Sequence, residues 1–328
     1  METTRALKFG SVKTPVVKFY DAKEAHISAY LSQVSKMLKN EAFIWDQLFP
    51  RFAVVKDKDK VPVYQTEHLK RLITDRAPKT QSNMATRHLG TAIEYECTAK
   101  ALHDLCGDEE KVNADPPIKP EVDTMEFVTN LIELDLEFRA YDSITTTGNY
   151  ASSSHYRTLV AGEQWDDFVN SDPLANIETA KIQIYNACGK KANRIMLPYK
   201  VATKICRHPD ILELRKYTDP NLLTAGGLPP VLQNLRVVEA DAIYDTAMQG
   251  QTANLSGLWS DYVWIGFVNP RMGLKDTTWG VCFDRGGRIV RTWYEQKVKA
   301  TWIEVEEQGL DLKIFDNRCG YLLIDVLS

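Results

Sequence analysis

Serine and histidine, the residue types that nucleophilic catalysis requires, occur together in one short segment of the chain. The segment runs from Ser152 to His155 within a stretch rich in glycine, serine and asparagine. Residues that are adjacent in a loop rarely face one another, and no G-x-S-x-G motif is present to expose a serine on a sharp turn. We therefore expect no catalysis here. An α+β hydrolase that uses this segment or a cysteine is the competing class of protein.

A metal site would need cysteine, histidine or carboxylate ligands at a compatible spacing. The residues that come closest are Cys97, His103 and Cys106. If residues 91–106 formed a helix, His103 and Cys106 would share a face, but Cys97 would point about 240° away from His103. The six cysteines are dispersed without a C-x-x-C pair, which predicts free thiols in a reducing compartment. We expect neither a metal nor a cofactor.

Phosphate-binding loops and paired carboxylates are the remaining candidates for chemistry. Gly226-Gly227 and Gly286-Gly287 lack Walker or dinucleotide-binding spacing, so we interpret them as turn glycines, the second pair in a hairpin. Asp166 and Asp167 precede Asp172, which would lie in the first turn of a helix, where the helix dipole favours a negative charge. We interpret this cluster as structural and predict a protein without catalytic residues.

The composition is that of a globular protein, with 44% hydrophobic and 26% charged residues among 328. A formal net charge of -4 argues against sequence-specific binding of nucleic acid. The longest apolar run, residues 262–268, is far shorter than the ~20 residues needed to span a bilayer. The length exceeds that of a single hydrophobic core, roughly 250–300 residues, so we expect at least two substructures.

The first quarter of the chain is predicted to be largely extended. Residues 1–25 have no helical period and indicate an arm, and a short helix is predicted near residues 26–39. A long β-hairpin is predicted over residues 51–78, with a charged tip at Lys56 to Lys60. The alternative for this segment is a solvated surface loop.

Helical spacing of apolar residues predicts a long helix that starts at Asp123. Phe127 and Phe138 belong to its apolar face, and we expect both rings to be buried. Other elements are predicted as follows: a helix capped by Ser171 and closed by Gly189, a helix from Pro198 that breaks at His208-Pro209, a short helix after residues 226–230, a strand at residues 236–240, and aromatic-rich strands from residue 258 onward.

Several local strings accompany this order of elements: Arg76-Ala77-Pro78, the helix from Asp123 to Asp142, Trp165-Asp166-Asp167 leading to Ser171-Asp172-Pro173 and Ile177, Asn193 to Pro198 before His208-Pro209, Ala242 to Ala247, and Leu258 to Asp261. In combination they resemble the major capsid proteins of tailed bacteriophages. The resemblance covers about residues 45–328.

The resemblance implies an α+β protein with the Hong Kong 97-type fold. Its parts would be an N-terminal arm, an extended loop, a peripheral domain with a long spine helix, and an axial domain. The implied bounds are 1–45 for the arm, 46–100 for the extended loop, 101–190 with 275–310 for the peripheral domain, and 191–274 with 311–328 for the axial domain.

The resemblance also implies which residues meet other molecules. Contacts between subunits are expected at Lys56, Lys58, Lys60, Tyr64 and Arg76. Basic residues of the arm are expected to face packaged DNA, where phosphates would neutralise them: Arg5, Lys8, Lys13 and Lys18. We expect this arm to be retained, without removal of an N-terminal segment by a protease.

The implied partners are further copies of the chain in hexamers and pentamers, a portal protein, and double-stranded DNA bound without sequence specificity. Scaffolding and decoration proteins, if used, would be separate chains, and no membrane is involved. The protein would be part of the virion and would assemble in the cytoplasm of the bacterial host. The alternative within the same fold is an encapsulin-like nanocompartment shell.

Overall fold

The structure, a computed structural model, describes residues 26–27, 31–32, 35, 42–63, 71, 74–84, 92–115, 117–216, 229–248, 250–273 and 276–328. The predicted α+β class is confirmed. Two six-stranded sheets and two short two-stranded ribbons are present among these residues, and helices pack against the larger sheets. None of the helices in this part of the chain is long and apolar enough to span a membrane.

The strands in chain order are β1 (His26–Ile27), β2 (Arg51–Ala53), β3 (Lys58–Pro62), β4 (Ala92–Glu96), β5 (Thr98–Gly107), β6 (Tyr156–Thr158), β7 (Arg194–Pro198), β8 (Val231–Leu232), β9 (Leu235–Ala240), β10 (Ile243–Asp245), β11 (Leu255–Gly257), β12 (Val263–Gly266), β13 (Gly280–Asp284), β14 (Arg288–Glu295), β15 (Ala300–Ile314) and β16 (Gly320–Ile324). The α-helices are α1 (Trp45–Leu48), α2 (Asp108–Asn113), α3 (Pro120–Thr145), α4 (Pro173–Cys188), α5 (Tyr199–Ile205) and α6 (Pro209–Lys216).

The first large sheet is organised around the long strand β15. This strand pairs antiparallel with β5, β13 and β14, while β1 joins β14 and β2 joins β13. Ile303, Val305 and Glu307 alternate inward along β15, and the residues between them are partly exposed. This period of two is that of a strand with one face on a core.

Helix α3 covers the inner face of this sheet and contacts β5 and β15. It begins with Pro120 at its first turn, where the missing N–H of proline is tolerated, three residues before the predicted start at Asp123. The apolar residues that it buries are Met125, Val128, Ile132, Leu136, Ala140 and Ile144. The expectation for Phe127 is wrong, because its ring points to the opposite face and is 55% exposed. Phe138 is partly buried and packs edge-on against Tyr244.

The second large sheet has the strand order β6-β16-β12-β7-β9-β8, and α4 packs against β12 and β16. The predicted helix at Ser171 is present, but Asp172 is its N-cap and accepts a hydrogen bond from the N–H of Ala175. Gly189 ends α4 at a φ of 69°, a conformation that suits glycine. The break at His208-Pro209 separates α5 from α6 as predicted. The segment after Pro230 forms β8 rather than a short helix.

Two predictions for the first third of the chain are wrong. His26 and Ile27 form a strand on β14, although Leu31, Ser32 and Ser35 are helical. The hairpin does not turn at Lys56 to Lys60: β3 pairs with β4, so the turn lies between residues 63 and 91. Residues 92–96 and 98–107 are strands, so the helical arrangement considered for Cys97, His103 and Cys106 does not occur.

Gly286-Gly287 forms a turn, but not that of a hairpin. β15 lies between β13 and β14 in the sheet, so the two strands joined by this turn do not pair with each other. Gly287 has a φ of 72°. Gly226-Gly227 lies outside the described residues.

Candidate assembly surfaces

The first candidate surface is the ribbon of β3 and β4, which begins the extended loop. Lys58 and Lys60 form ion pairs across the two strands with Glu96 and Glu94, and Lys56 pairs with Asp59 at 2.8 Å. These lysines therefore lie at the base of the loop, where their charges are neutralised within the subunit. The sequence placed them at the tip because it could not reveal that residues 92–96 return as the partner strand.

The base of this loop is fixed to the first sheet by aromatic packing. Tyr95 on β4 stacks on Phe283 of β13, with ring centroids 4.4 Å apart, and Phe52 meets Phe283 edge-on at 6.1 Å. Val61 on β3 is buried in the same cluster. A rigid base of this kind sets the direction in which the rest of the loop leaves the subunit.

Beyond its base, the described part of the loop is exposed to solvent. Residue 71 and residues 74–84 are all exposed, including Arg76, and Met84 is among the most exposed apolar side chains. Tyr64 lies outside the described residues, as do the arm residues Arg5, Lys8, Lys13 and Lys18. The structure thus describes Arg76 as available for contact and does not place the other five.

Two further apolar surfaces are uncovered in the single subunit. Phe127 and Leu131 lie one turn apart on the outer face of α3 and are 55% and 40% exposed. The ribbon of β10 and β11 exposes Ile243 and Leu255. Exposed apolar clusters of this kind are typical of surfaces that other molecules cover.

A buried carboxylate on α3 joins the segment that begins α1 to the segment between β11 and β12. Glu137 Oε2 accepts hydrogen bonds from the backbone N–H groups of Ile44 and Trp45 at 3.0 and 2.8 Å. Its Oε1 accepts one from Nε1 of Trp259 at 2.7 Å. Burial raises the pKa of Glu137 to about 7, and these three hydrogen bonds oppose that rise. Three distant segments of the chain depend on this one side chain.

A second buried polar cluster connects α3 to the first sheet. Arg288 on β14 donates to Glu307 on β15 at 2.6 Å, to Glu133 on α3, and to the backbone carbonyl of Ser35 at 3.0 Å. Arg51 lies 3.6 Å from Glu307. Neither cluster was found from the sequence, because charged residues within a helix or strand give no sign of burial until their partners are known.

The structure brings Ser152 and His155 together without forming a hydrolase site. The Ser152 Oγ lies 3.1 Å from Nδ1 of His155 in a 3₁₀ turn. Nε2 of His155 is buried and has no hydrogen-bond partner among the described residues, so no carboxylate orients the ring. Burial also lowers the pKa of His155. A base that is sequestered in this way cannot activate the serine and then pass the proton on to a leaving group.

The residues considered as metal ligands are separated. Cys97 packs with Phe283, Cys106 packs beneath α3, and His103 lies on the outer face of the first sheet, 4.8 Å from the ring of Trp302. No group of three or more potential ligands occurs within the described residues. All six cysteines are free thiols.

The class of protein follows from four features of the fold. They are a six-stranded sheet built on long β-strands, a 26-residue helix across it, a second sheet, and an exposed loop. These are the elements of the Hong Kong 97-type fold of viral shells. Solved structures agree: a phage-related protein from Bordetella bronchiseptica RB50 matches with a TM-score of 0.70 at 22% identity, over 92% of this chain and 97% of that one. The capsid of cyanophage P-SCSP1u matches with a TM-score of 0.60 at 8% identity, over 97% and 95% of the two chains.

The sequence comparisons specify the protein further, although no known family model matches the chain. The major capsid protein of Burkholderia phage BcepMu is 25% identical over 240 residues, which are 73% of this chain and 75% of that protein. The major capsid protein of Pseudomonas phage JBD67 is 26% identical over 281 residues, 80% and 82% of the two. The predicted resemblance to tailed-phage major capsid proteins is confirmed, and these relatives favour a phage capsid over a nanocompartment. The chain is a phage capsid protein, a component of the virion that assembles into capsid shells.

Proposed function

We propose that this protein forms hexamers and pentamers that close into the icosahedral shell around the double-stranded DNA of a tailed bacteriophage. The observation that carries the proposal is the extended loop. Its base is packed and paired, whereas every described residue from 71 to 84 is exposed. Because these described residues bury little surface on their own subunit, contact with a neighbour would give them the burial that they lack.

The proposed contacts between subunits differ from those expected from the sequence. The ion pairs of Lys56, Lys58 and Lys60 at the base of the loop would fix its direction. Beyond the base, Arg76 and Tyr64 would contact the neighbouring subunit. Phe127 and Leu131 add an apolar surface on the spine helix, α3. Ion pairs at the loop base are exposed and contribute little energy, so the contact energy would come from the loop beyond them.

The proposed division into domains keeps the arm, loop, peripheral and axial parts given above. The first sheet with α3 would form the peripheral domain, and the second sheet would form the axial domain around the hexamer and pentamer centres. β6 and α4 belong to the second sheet and its packing, although the sequence-based bounds assign residues 101–190 to the peripheral domain. A boundary near residue 155 would fit the strand pairing better.

The proposed partners include DNA and other viral proteins. The packaged DNA would lie against four basic residues of the arm, Arg5, Lys8, Lys13 and Lys18. The affinity of the arm for DNA would fall as the salt concentration rises. A portal protein would occupy one vertex, and scaffolding or decoration proteins would be separate chains. Assembly would take place in the host cytoplasm, and the subunit would catalyse no reaction.

A sizing column tests the proposal with the purified full-length chain. The protein should elute near the void volume, or shift there under assembly conditions, while its circular dichroism shows the mixed helix and strand content of the fold. A folded protein that elutes as a monomer under all conditions of salt and concentration would contradict it.

A further inference from the structure

Two arginines lie side by side on neighbouring strands of the second sheet. Arg194 begins β7 and is in register with Arg236 on the parallel strand β9, so both side chains point to the same face of the sheet. Neighbouring strands lie about 4.8 Å apart. Two positive charges are therefore close together near the end where both strands begin.

Neither guanidinium group has a partner among the described residues. Nη1 of Arg194 is buried and has no hydrogen-bond acceptor in this part of the chain, and no ion pair joins Arg194 or Arg236 to a described carboxylate. The other arginines on the described strands all pair with carboxylates: Arg51, Arg157, Arg288 and Arg291. Among these strands, unpaired arginines thus occur at two adjacent positions.

The side chains on either side of the two arginines offer no acceptor. Val231 on β8 lies opposite Arg236. Gly266 on β12 lies opposite Arg194. The indole ring of Trp264 fills the space over Gly266, since a Cβ atom there would lie 2.2 Å from Cζ2 of the ring. Apolar atoms therefore border the two guanidinium groups along this row of the sheet.

The charges around Arg194 favour an anion. Burial, followed by the like charge of Arg236, lowers the pKa of Arg194, and Asp46 on α1 opposes this change. Lys190 and Lys191 come shortly before β7 and are both exposed. Because a buried donor without an acceptor costs free energy, an anion that accepts from Arg194 would be stabilised here.

We propose that Arg194 and Arg236 form a binding site for a phosphate group. Each guanidinium presents its N–H donors in a planar fork that matches the oxygens of phosphate, and a phosphate between the two forks can accept from both. A phosphate ion carries up to two negative charges near neutral pH and would match both arginines, whereas a carboxylate carries one. The site goes beyond shell formation, since one subunit supplies both arginines and its binding can be measured without assembly.

Titration of the purified full-length protein with inorganic phosphate tests the proposal, with the ionic strength held constant by sodium chloride. Phosphorus NMR should show saturable broadening of the phosphate line. Arg194→Gln and Arg236→Gln should each weaken this binding by about tenfold or more, because each removes charge-assisted hydrogen bonds. The matched control Arg139→Gln removes an exposed arginine of α3 and should bind phosphate as the unaltered chain does.

Two results of this titration would overturn the proposal. One is the absence of saturable binding to the unaltered chain, and the other is binding that the two site variants weaken no more than Arg139→Gln does. If Arg194→Gln fails to fold, Arg236→Gln decides the proposal, because Arg236 is exposed.

The melting temperature separates a ligand-binding role from a structural one. Arg194→Met keeps an apolar stem and removes a charge that has no ion-pair partner among the described residues. In phosphate-free buffer this variant should melt at the same or a higher temperature than the unaltered chain. Phosphate should raise the melting temperature of the unaltered chain and not that of Arg194→Met. A lower melting temperature of Arg194→Met in phosphate-free buffer would assign Arg194 to the fold and contradict the proposal.

Competition identifies the source of the phosphate group. If a short DNA duplex displaces inorganic phosphate, the site takes phosphates of the DNA backbone, and if the broadening persists, it takes the free ion. Both results require that Arg194 and Arg236 bind phosphate. Equal displacement by acetate at the same concentration would show that the site does not prefer phosphate and would overturn the proposal.

Discussion

Arg288 on β14 donates from Nε to Oε1 of Glu307 on β15 at 2.6 Å, and both side chains are buried beneath α3. The same guanidinium reaches Glu133 on the helix and the carbonyl of Ser35. This single side chain therefore holds the sheet, the helix and the segment around Ser35 together. Its charge is matched by two carboxylates, so removal of the arginine leaves Glu133 partly buried and Glu307 buried, with Arg51, 3.6 Å from Glu307, as the remaining cation of the cluster.

The first prediction follows from that relationship. Arg288→Ala should lower the free energy of unfolding by about 3–5 kcal/mol, because Glu307 and Glu133 would lose their shared cation. Chemical denaturation of the subunit measures the change. The control Arg139→Ala removes an exposed ion pair to Asp135 and should change stability by less than about 1 kcal/mol. Similar effects of the two substitutions would show that the Arg288 cluster is accessible to water.

The second prediction concerns pH. Because the pKa of Glu137 in the folded chain, about 7, lies above its ordinary value of 4.5, the folded state binds this proton more tightly than the unfolded state does. The stabilisation is complete below about pH 4.5 and is lost as the pH rises to about 7, on the order of 3 kcal/mol in all.

Comparison with Glu137→Gln isolates this effect, since glutamine stays neutral. The difference in the free energy of unfolding between the two proteins should change between pH 4.5 and 7 in favour of the glutamine variant and be constant above pH 8. Glu178→Gln, at an exposed position on α4, is the matched control for the same change of side chain outside the buried cluster. A flat difference for Glu137→Gln would show that the carboxylate titrates normally.

The third prediction compares neighbouring residues on α3. Ile132 is 2% exposed and packs on the first sheet, whereas Leu131 points outward. Ile132→Ala should lower the free energy of unfolding by about 2–5 kcal/mol, and Leu131→Ala by less than about 1 kcal/mol. Denaturation measures both. If the outer face contacts a neighbour, Leu131→Ala should slow shell formation while leaving the subunit stable.

The fourth prediction concerns the extended loop. Replacement of residues 71–84 by a short glycine-serine linker should leave the melting temperature of the subunit unchanged within about 2 °C, because the described residues of this segment are exposed, while shells no longer form. This design avoids β3, which a deletion of Lys56 to Lys60 would remove. Tyr95→Ala, which breaks the stack at the loop base, should instead lower the melting temperature. If the variant with the shortened loop forms normal shells, this loop does not contribute to the contacts between subunits.

The sequence predicted those features that depend on local pattern. Proline and glycine positions correctly marked the break at His208-Pro209 and the end of α4 at Gly189, and the set of local strings led to the correct fold. Phe127 was wrongly expected to be buried, because apolar residues occur on both sides of α3 and their spacing alone does not show which side packs on the sheet. Glu137 and Arg288 were missed, since their burial depends on partners far away in the sequence.

Negative-stain electron microscopy of the purified protein would show whether the chain builds a capsid. We expect closed, regular shells whose surfaces resolve into six-fold and five-fold clusters of subunits, and we expect these shells to be lost when residues 71–84 are replaced. Fields of small separate particles, from protein that is folded and held under assembly conditions, would contradict the claim that this chain builds a capsid.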